Sequence, residues 1–170
     1  CDLADAVGLL CLRTARAGGA SRIVSSVTVW NELLRRRPDL VPRLFEPFRL
    51  DRRDEAAQGM PWVPVIPCRH AAGRLRTFYH SDYFRSVVRH PDVPAFRDDE
   101  LALLDLYEQI ANDPALYLEM QFAPGDIQLI SNHTILHARG AYEDDAAGAP
   151  KRHLLRLWLT LTERDAFAPG

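Results

Sequence analysis

Cysteine is scarce and dispersed: the 170 residues hold three, Cys1, Cys11 and Cys68, and none stands in a Cys-x-x-Cys pair. An odd, scattered set argues against both a disulfide framework and a thiolate zinc site, and a reducing, cytoplasmic setting is the plain expectation. A basic excess is lacking too. Lys and Arg number 21 against 23 Asp and Glu, a net charge of −2. A general nucleic-acid binder, which needs spare cations to neutralise phosphates, is therefore not expected. No apolar run approaches the roughly 20 residues that cross a bilayer. The longest, residues 6–12, is strand-sized. Internal repeats and a signal-like segment are absent, and the opening at Cys1 without a Met reads as a piece of something longer.

What is present suits one domain with a real core, because 47% of residues are apolar and 26% charged. Residues 6–14 form an apolar run of strand length, and Gly18-Gly19 predicts a tight turn before a second strand at 21–25. Ser25 or Ser26 is placed to cap a helix running to about Arg37, which Pro38 ends. The arginines at 35–37 then read as a solvated helix end that favours the dipole. Residues 51–61 read as an exposed loop, 63–67 and 75–79 as strands around a turn at 71–73. Asp98 or Asp99 is expected to cap a helix over 100–112, with Leu101, Leu104 and Ile110 on its apolar face and Leu103 and Tyr107 widening it. Alternation at Leu116, Leu118, Met120 and Phe122 predicts a half-buried strand. A turn at 124–126, a strand at 127–131, a solvent loop at 140–150 and a last strand at 153–161 complete the chain. Short strands with a few inserted helices predict a mainly β fold with flanking helices, a jelly-roll or cupin-like sandwich.

Three constellations could carry chemistry. His133 and His137 are four apart, as on a zinc-binding helix, but position 134 is Thr where a general-base Glu would stand, and the flanking pattern is β. His80-Ser81-Asp82 with the distant His137 has the composition of an iron-binding facial triad, in a tripeptide short enough to arise by chance. Arg152 and Arg156 are four apart on the final strand, so both point to one side with Leu154 between them. Guanidinium groups flanked by apolar residues call for an anion, either acidic side chains or a carboxylate ligand gripped by the planar fork. Tyr79, Tyr83 and Trp62 could add an aromatic lining.

The chain resembles the taurine catabolism dioxygenase (TauD/TfdA-like) family of iron(II)- and 2-oxoglutarate-dependent oxygenases. The resemblance is carried by DAVGLLCLRTARAGGASRIVSS at 5–26, RRRPDLVPRLFEPF at 35–48, FAPGDIQLISNHTILHARGAYED at 122–144 and RHLLRLWL at 152–159. It implies a double-stranded β-helix, with residues 1–170 as a single unit, the C-terminal portion of the oxygenase domain and incomplete at its N-terminus. By position, His137 matches the distal iron-ligand histidine and Arg152 the arginine that binds the far carboxylate of 2-oxoglutarate. Ser21 matches the hydroxyl that helps hold the same carboxylate. Arg156 matches a second active-site arginine, which in relatives with acidic substrates meets the substrate anion. The family's His-x-Asp pair would lie just upstream of Cys1, and His80 and Asp82 fall where relatives have an aromatic-rich strand entering a helix. The implied cofactors are Fe(II), 2-oxoglutarate and O2, with a small-molecule second substrate. No nucleic-acid or membrane partner is implied, and a homo-oligomer is compatible. Two other classes stay open: a non-catalytic jelly-roll module binding a small carboxylate or sugar acid, and a zinc hydrolase using His133 and His137.

Overall fold

The computed structural model describes residues 4–53, 59–71, 73–146 and 148–160. Cys1, the middle of the expected 51–61 loop and Leu161 lie outside them. In chain order the strands are β1 (Ala6–Arg13), β2 (Ala17–Gly18) and β3 (Ser21–Ser25), followed by helix α1 (Ser26–Arg36) and 3-10 turns over Pro38–Phe45. Next come β4 (Phe48–Asp51), β5 (Trp62–Val65), β6 (Cys68–Ala71), β7 (Arg74–Thr77), α2 (Ser81–Arg85), a 3-10 turn at Ser86–Arg89 and α3 (Asp98–Ala111). Strands β8 (Leu118–Met120), β9 (Ile127–Ser131), β10 (Ile135–Arg139), β11 (Tyr142–Glu143) and β12 (His153–Leu159) follow. The mainly β composition with flanking helices is as expected. Among the described residues no helix is long and apolar enough to cross a membrane.

Two antiparallel sheets of three strands dominate, in the orders β12-β1-β9 and β10-β3-β8. In the first, Leu9 lies between Gln128 and Arg156, and Leu10 between Ile127 and Leu155. Because side chains alternate between faces, Val7, Cys11, Gln128 and Ile130 share the buried face. The opposite face carries Ile127, Leu129, Leu155 and Leu157, all exposed. In the second sheet Ser21 lies between Met120 and Arg139, and Ile23 between Leu118 and His137. Val24 and Leu136, of opposite parity, enter the main apolar core with Val29, Leu33, Leu40, Leu44, Phe84 and Ile110. Leu33 and Leu44 are fully buried, and truncating either to alanine would cost about 2–5 kcal/mol.

Local signals explain most elements. Ser25 caps α1 by accepting from the Thr28 N–H, and Pro38 prevents its continuation. After Pro38 the chain forms 3-10 turns that bury Leu40, Val41 and Leu44. Three expectations need correction. The hairpin around 71–73 joins β6 to β7, whereas β5 pairs with β4. Helix α3 starts at Asp98 after Arg97, whose N–H donates to the Glu100 carboxylate at 2.9 Å, and it leaves Leu101 39% exposed while burying Leu103, Leu104, Tyr107 and Ile110 as expected. The alternation at 116–122 yields only the short β8, with Leu118 exposed.

Candidate active site

The sheet registers bring expected site residues onto facing surfaces. Ser21 and His137 lie on the same face of their sheet, because their cross-strand rows are two residues apart. Across from them, the buried Gln128 and the exposed Arg156 share a row through Leu9 on one face of the other sheet. The two faces touch where Ser21 Oγ donates to Gln128 Oε1 at 3.3 Å. Gln128 Nε2 in turn donates to Met120 Sδ at 3.1 Å.

Arg152 precedes β12 and is held from three sides. Its backbone N–H donates to Asp144 Oδ1 at 2.8 Å, and its guanidinium lies over the Tyr142 ring at 5.2 Å. The third side is Gly19. A Cβ built there would stand 3.1 Å from Arg152 Nε and 3.3 Å from Tyr142 Cβ. Gly19 also has φ +76, a conformation that side chains disfavour. The Gly18-Gly19 turn next to Ser21 therefore makes room for the guanidinium as well as reversing the chain. Arg156 is an exposed residue whose guanidinium lies over the Trp158 ring at 4.5 Å.

His137 is exposed and lines a cavity of about 320 Å³ together with Arg22, Tyr79, His80, Asp82 and Tyr117. His80 and Asp82 thus share a cavity with His137 without forming a ligand set. Among the described residues no group of three or more His, Cys, Asp or Glu could hold a metal ion. His80 leads into α2 and packs on Tyr83 at 4.1 Å. His133 is 8% exposed, with Nε2 2.9 Å from Asp5 Oδ1, and its carbonyl accepts from the Thr77 N–H. It therefore ties the β9–β10 turn to the chain ahead of β1 and to β7. The aromatic lining is partial. Tyr79 reaches the cavity and stacks on Tyr107 at 4.1 Å, and burial raises its phenol well above the ordinary range despite its bond to Ser81. Trp62 donates to Asp92 and packs under Arg49, while Tyr83 lies under Arg53.

Gln128, Tyr142 and Asp144 were not among the expected site residues. Gln128 had a signal: in Ile-Gln-Leu-Ile-Ser the polar residue takes the inward parity and Ile127 and Leu129 face out. Nothing local marks Tyr142 or Asp144, whose contacts depend on chain folding back eight or more residues later.

A family model described as taurine catabolism dioxygenase TauD, TfdA family matches residues 1–158. Among curated proteins, FR-33289 synthase of Streptomyces rubellomurinus is 32% identical over 178 residues, covering 98% of this chain and 50% of its own. Uridine-5'-phosphate dioxygenase of an Amycolatopsis species is 28% identical, covering 87% of this chain and 52% of its own. The chain thus spans about half the length of these relatives. Among solved structures, asparagine oxygenase in complex with Fe(II), 2S,3S-3-hydroxyasparagine and succinate superposes with a TM-score of 0.68 at 16% identity. That superposition covers 92% of this chain and 46% of the other, and it reports on fold.

Proposed function

Because the chain belongs to the taurine catabolism dioxygenase TauD, TfdA family, we propose that it is the C-terminal portion of an iron(II)- and 2-oxoglutarate-dependent dioxygenase. The proposed reaction oxidises a C–H bond of a small organic substrate, with release of succinate and carbon dioxide. The observation that carries the reading is the seat of Arg152: a guanidinium fitted against a side-chain-free Gly19, two residues from the buried Ser21 hydroxyl. That cradle suits a carboxylate, for which the planar fork of arginine supplies two parallel donors.

The donor set present fits the co-substrate and fits iron in part. Arg152 and Ser21 hold the far carboxylate of 2-oxoglutarate. His137 presents the imidazole for iron, and the described residues offer no second and third ligand beside it. The remaining ligands are assigned to a His-x-Asp pair upstream of Cys1, in a jelly roll that this chain completes in part. Three observations support that assignment. The chain spans about half of its relatives; among the described residues β10 and β12, the strand of His137 and the strand just after Arg152, are edge strands; and the outward leucines and isoleucine of β9 and β12 are exposed there. Bound together, iron, 2-oxoglutarate and dioxygen supply oxidative decarboxylation coupled to oxidation of a substrate C–H bond.

The protein's own work is orientation. Arg156 shares the sheet face of Gln128 and, exposed at its edge, attracts an anionic group on the second substrate, in keeping with the phosphate in the name of one relative's substrate. Leu9, Ile23 and Met120, half-buried on the same facing surfaces, add apolar area beside these groups. Nothing in this set calls for a nucleic-acid partner, and the free thiols Cys11 and Cys68 suit a cytoplasmic setting. The test is oxygen-dependent conversion of 2-oxoglutarate to succinate by the full-length, iron-loaded protein. Conversion is expected. Its absence, with 2-oxoglutarate still bound, would favour the non-catalytic carboxylate-binding module instead.

A further inference from the structure

Ser21 is 6% exposed and Gln128 8% exposed, so the bond between them is buried. A serine hydroxyl carries one proton. Given to Gln128 Oε1, that proton is unavailable to an incoming carboxylate, which at neutral pH has no proton of its own to offer. The other end of the amide is weakly held, because its partner is the Met120 thioether, a poor acceptor. The terminal torsion of glutamine is broad and roughly two-fold, so a half-turn exchanges Oε1 and Nε2 at little cost.

We propose that Gln128 is a positioning residue that sets the direction of the Ser21 hydroxyl. When 2-oxoglutarate binds, the amide turns and Nε2 donates to Ser21 Oγ. The Ser21 proton is then directed to the far carboxylate beside Arg152. This inference rests on the co-substrate reading above and extends it to a residue on the facing sheet. The row Gln128–Leu9–Arg156 fixes the amide on the inner wall opposite Ser21. An amide is suited to the task because it both accepts and donates. A carboxylate at this position could only accept, and would keep the Ser21 proton.

Calorimetric titration of 2-oxoglutarate into the full-length protein, loaded with Fe(II) and held anaerobic, separates the outcomes. Ser21→Ala is expected to weaken binding about tenfold in the wild-type background. In a Gln128→Glu background the same change is expected to cost less than twofold, because the glutamate already holds the hydroxyl proton. Equal losses in both backgrounds would overturn the role of Gln128 and leave the co-substrate site standing. No binding by the wild-type protein would overturn both. Should Gln128→Glu fail to fold, the Gln128 side-chain amide protons can be followed by NMR in full-length protein carrying diamagnetic Zn(II). They are expected to shift when 2-oxoglutarate is added to wild type and to stay in place in Ser21→Ala. An unmoved amide in wild type with 2-oxoglutarate bound would overturn the proposal.

Discussion

Replacing Gly19 with alanine tests the cradle around Arg152 with a single methyl group. Two effects follow from the geometry. The residue has φ +76, and holding a side chain in the left-handed region costs about 1–2 kcal/mol. For a domain of this size each kcal/mol lowers Tm by about 2–4 °C, so a fall of about 2–8 °C is expected. The new Cβ would also stand 3.1 Å from Arg152 Nε and 3.3 Å from Tyr142 Cβ. The Arg152 side chain is the more flexible neighbour, so the guanidinium yields and loses its aim. A hydrogen bond to a charged group contributes about 1.5–3 kcal/mol, so 2-oxoglutarate affinity should drop about 10- to 150-fold. Gly18→Ala is the control. Its Cβ would meet the Ala141 carbonyl oxygen at 2.3 Å, backbone that cannot swing aside, so its expected effect is loss of fold. Thermal unfolding and 2-oxoglutarate titration of the full-length variants read both quantities. A Gly19→Ala protein that loses stability yet binds 2-oxoglutarate as wild type does would refute the idea that this glycine seats the guanidinium.

Asp51 is fully buried and accepts from the Arg53 N–H, Ser86 Oγ and Arg89 Nε and Nη2, with His90 Nε2 3.1 Å away. Asp51→Asn should cost about 2–4 kcal/mol in chemical denaturation, below the full penalty of a broken buried pair because Arg89 can turn to water. Burial alone would raise this carboxyl, but the Arg89 fork, the Arg53 N–H, Ser86 and His90 reverse that and hold it well below the usual range. The unfolded chain therefore binds this proton more readily. The stabilisation is full above about pH 4 and lost as pH falls further, an acid limb that Asp51→Asn should flatten. Burial pushes the Cys68 thiol up to about 11, with the Thr77 hydroxyl opposing. Cys68 should resist iodoacetamide at pH 8 until the protein unfolds, and fast labelling of the native protein would contradict this. In turnover assays of the full-length protein, His137→Ala should abolish succinate formation. His80→Ala should leave most of it, and total loss would restore the internal His80–Asp82 pair as ligands.

Elements whose causes are local were legible in the sequence, and those decided at long range were not. The Gly-Gly turn, the Ser25 cap, the stop at Pro38 and the alternating strands at 21–25 and 153–159 each answer to neighbours a few residues away. Strand β4 was missed because its partner β5 lies beyond the 51–61 loop, and its terminal Asp51 looks like a loop residue until Arg89, 38 residues later, neutralises it. The 3-10 turns at Pro38–Phe45 were missed because two prolines hide an apolar pattern that only packing against α1 and α3 reveals. At the site, Ser21 and His137 share a face by simple period-two parity in a register fixed by β3 and β10. The inward Gln128 follows the same rule, yet needs a facing sheet to acquire a partner. The support of Arg152 by Asp144 and Tyr142 comes from the loop between β10 and β12, whose path back to Gly19 no local pattern announces.

The central claim is that Arg152, seated against Gly19 beside Ser21, grips the far carboxylate of 2-oxoglutarate. It is tested most directly by titrating 2-oxoglutarate into the full-length, iron-loaded Arg152→Ala protein under anaerobic conditions, with iron content measured alongside. Affinity about 10- to 150-fold weaker than wild type, with iron content unchanged, is the predicted result. Wild-type affinity in the Arg152→Ala protein would contradict it.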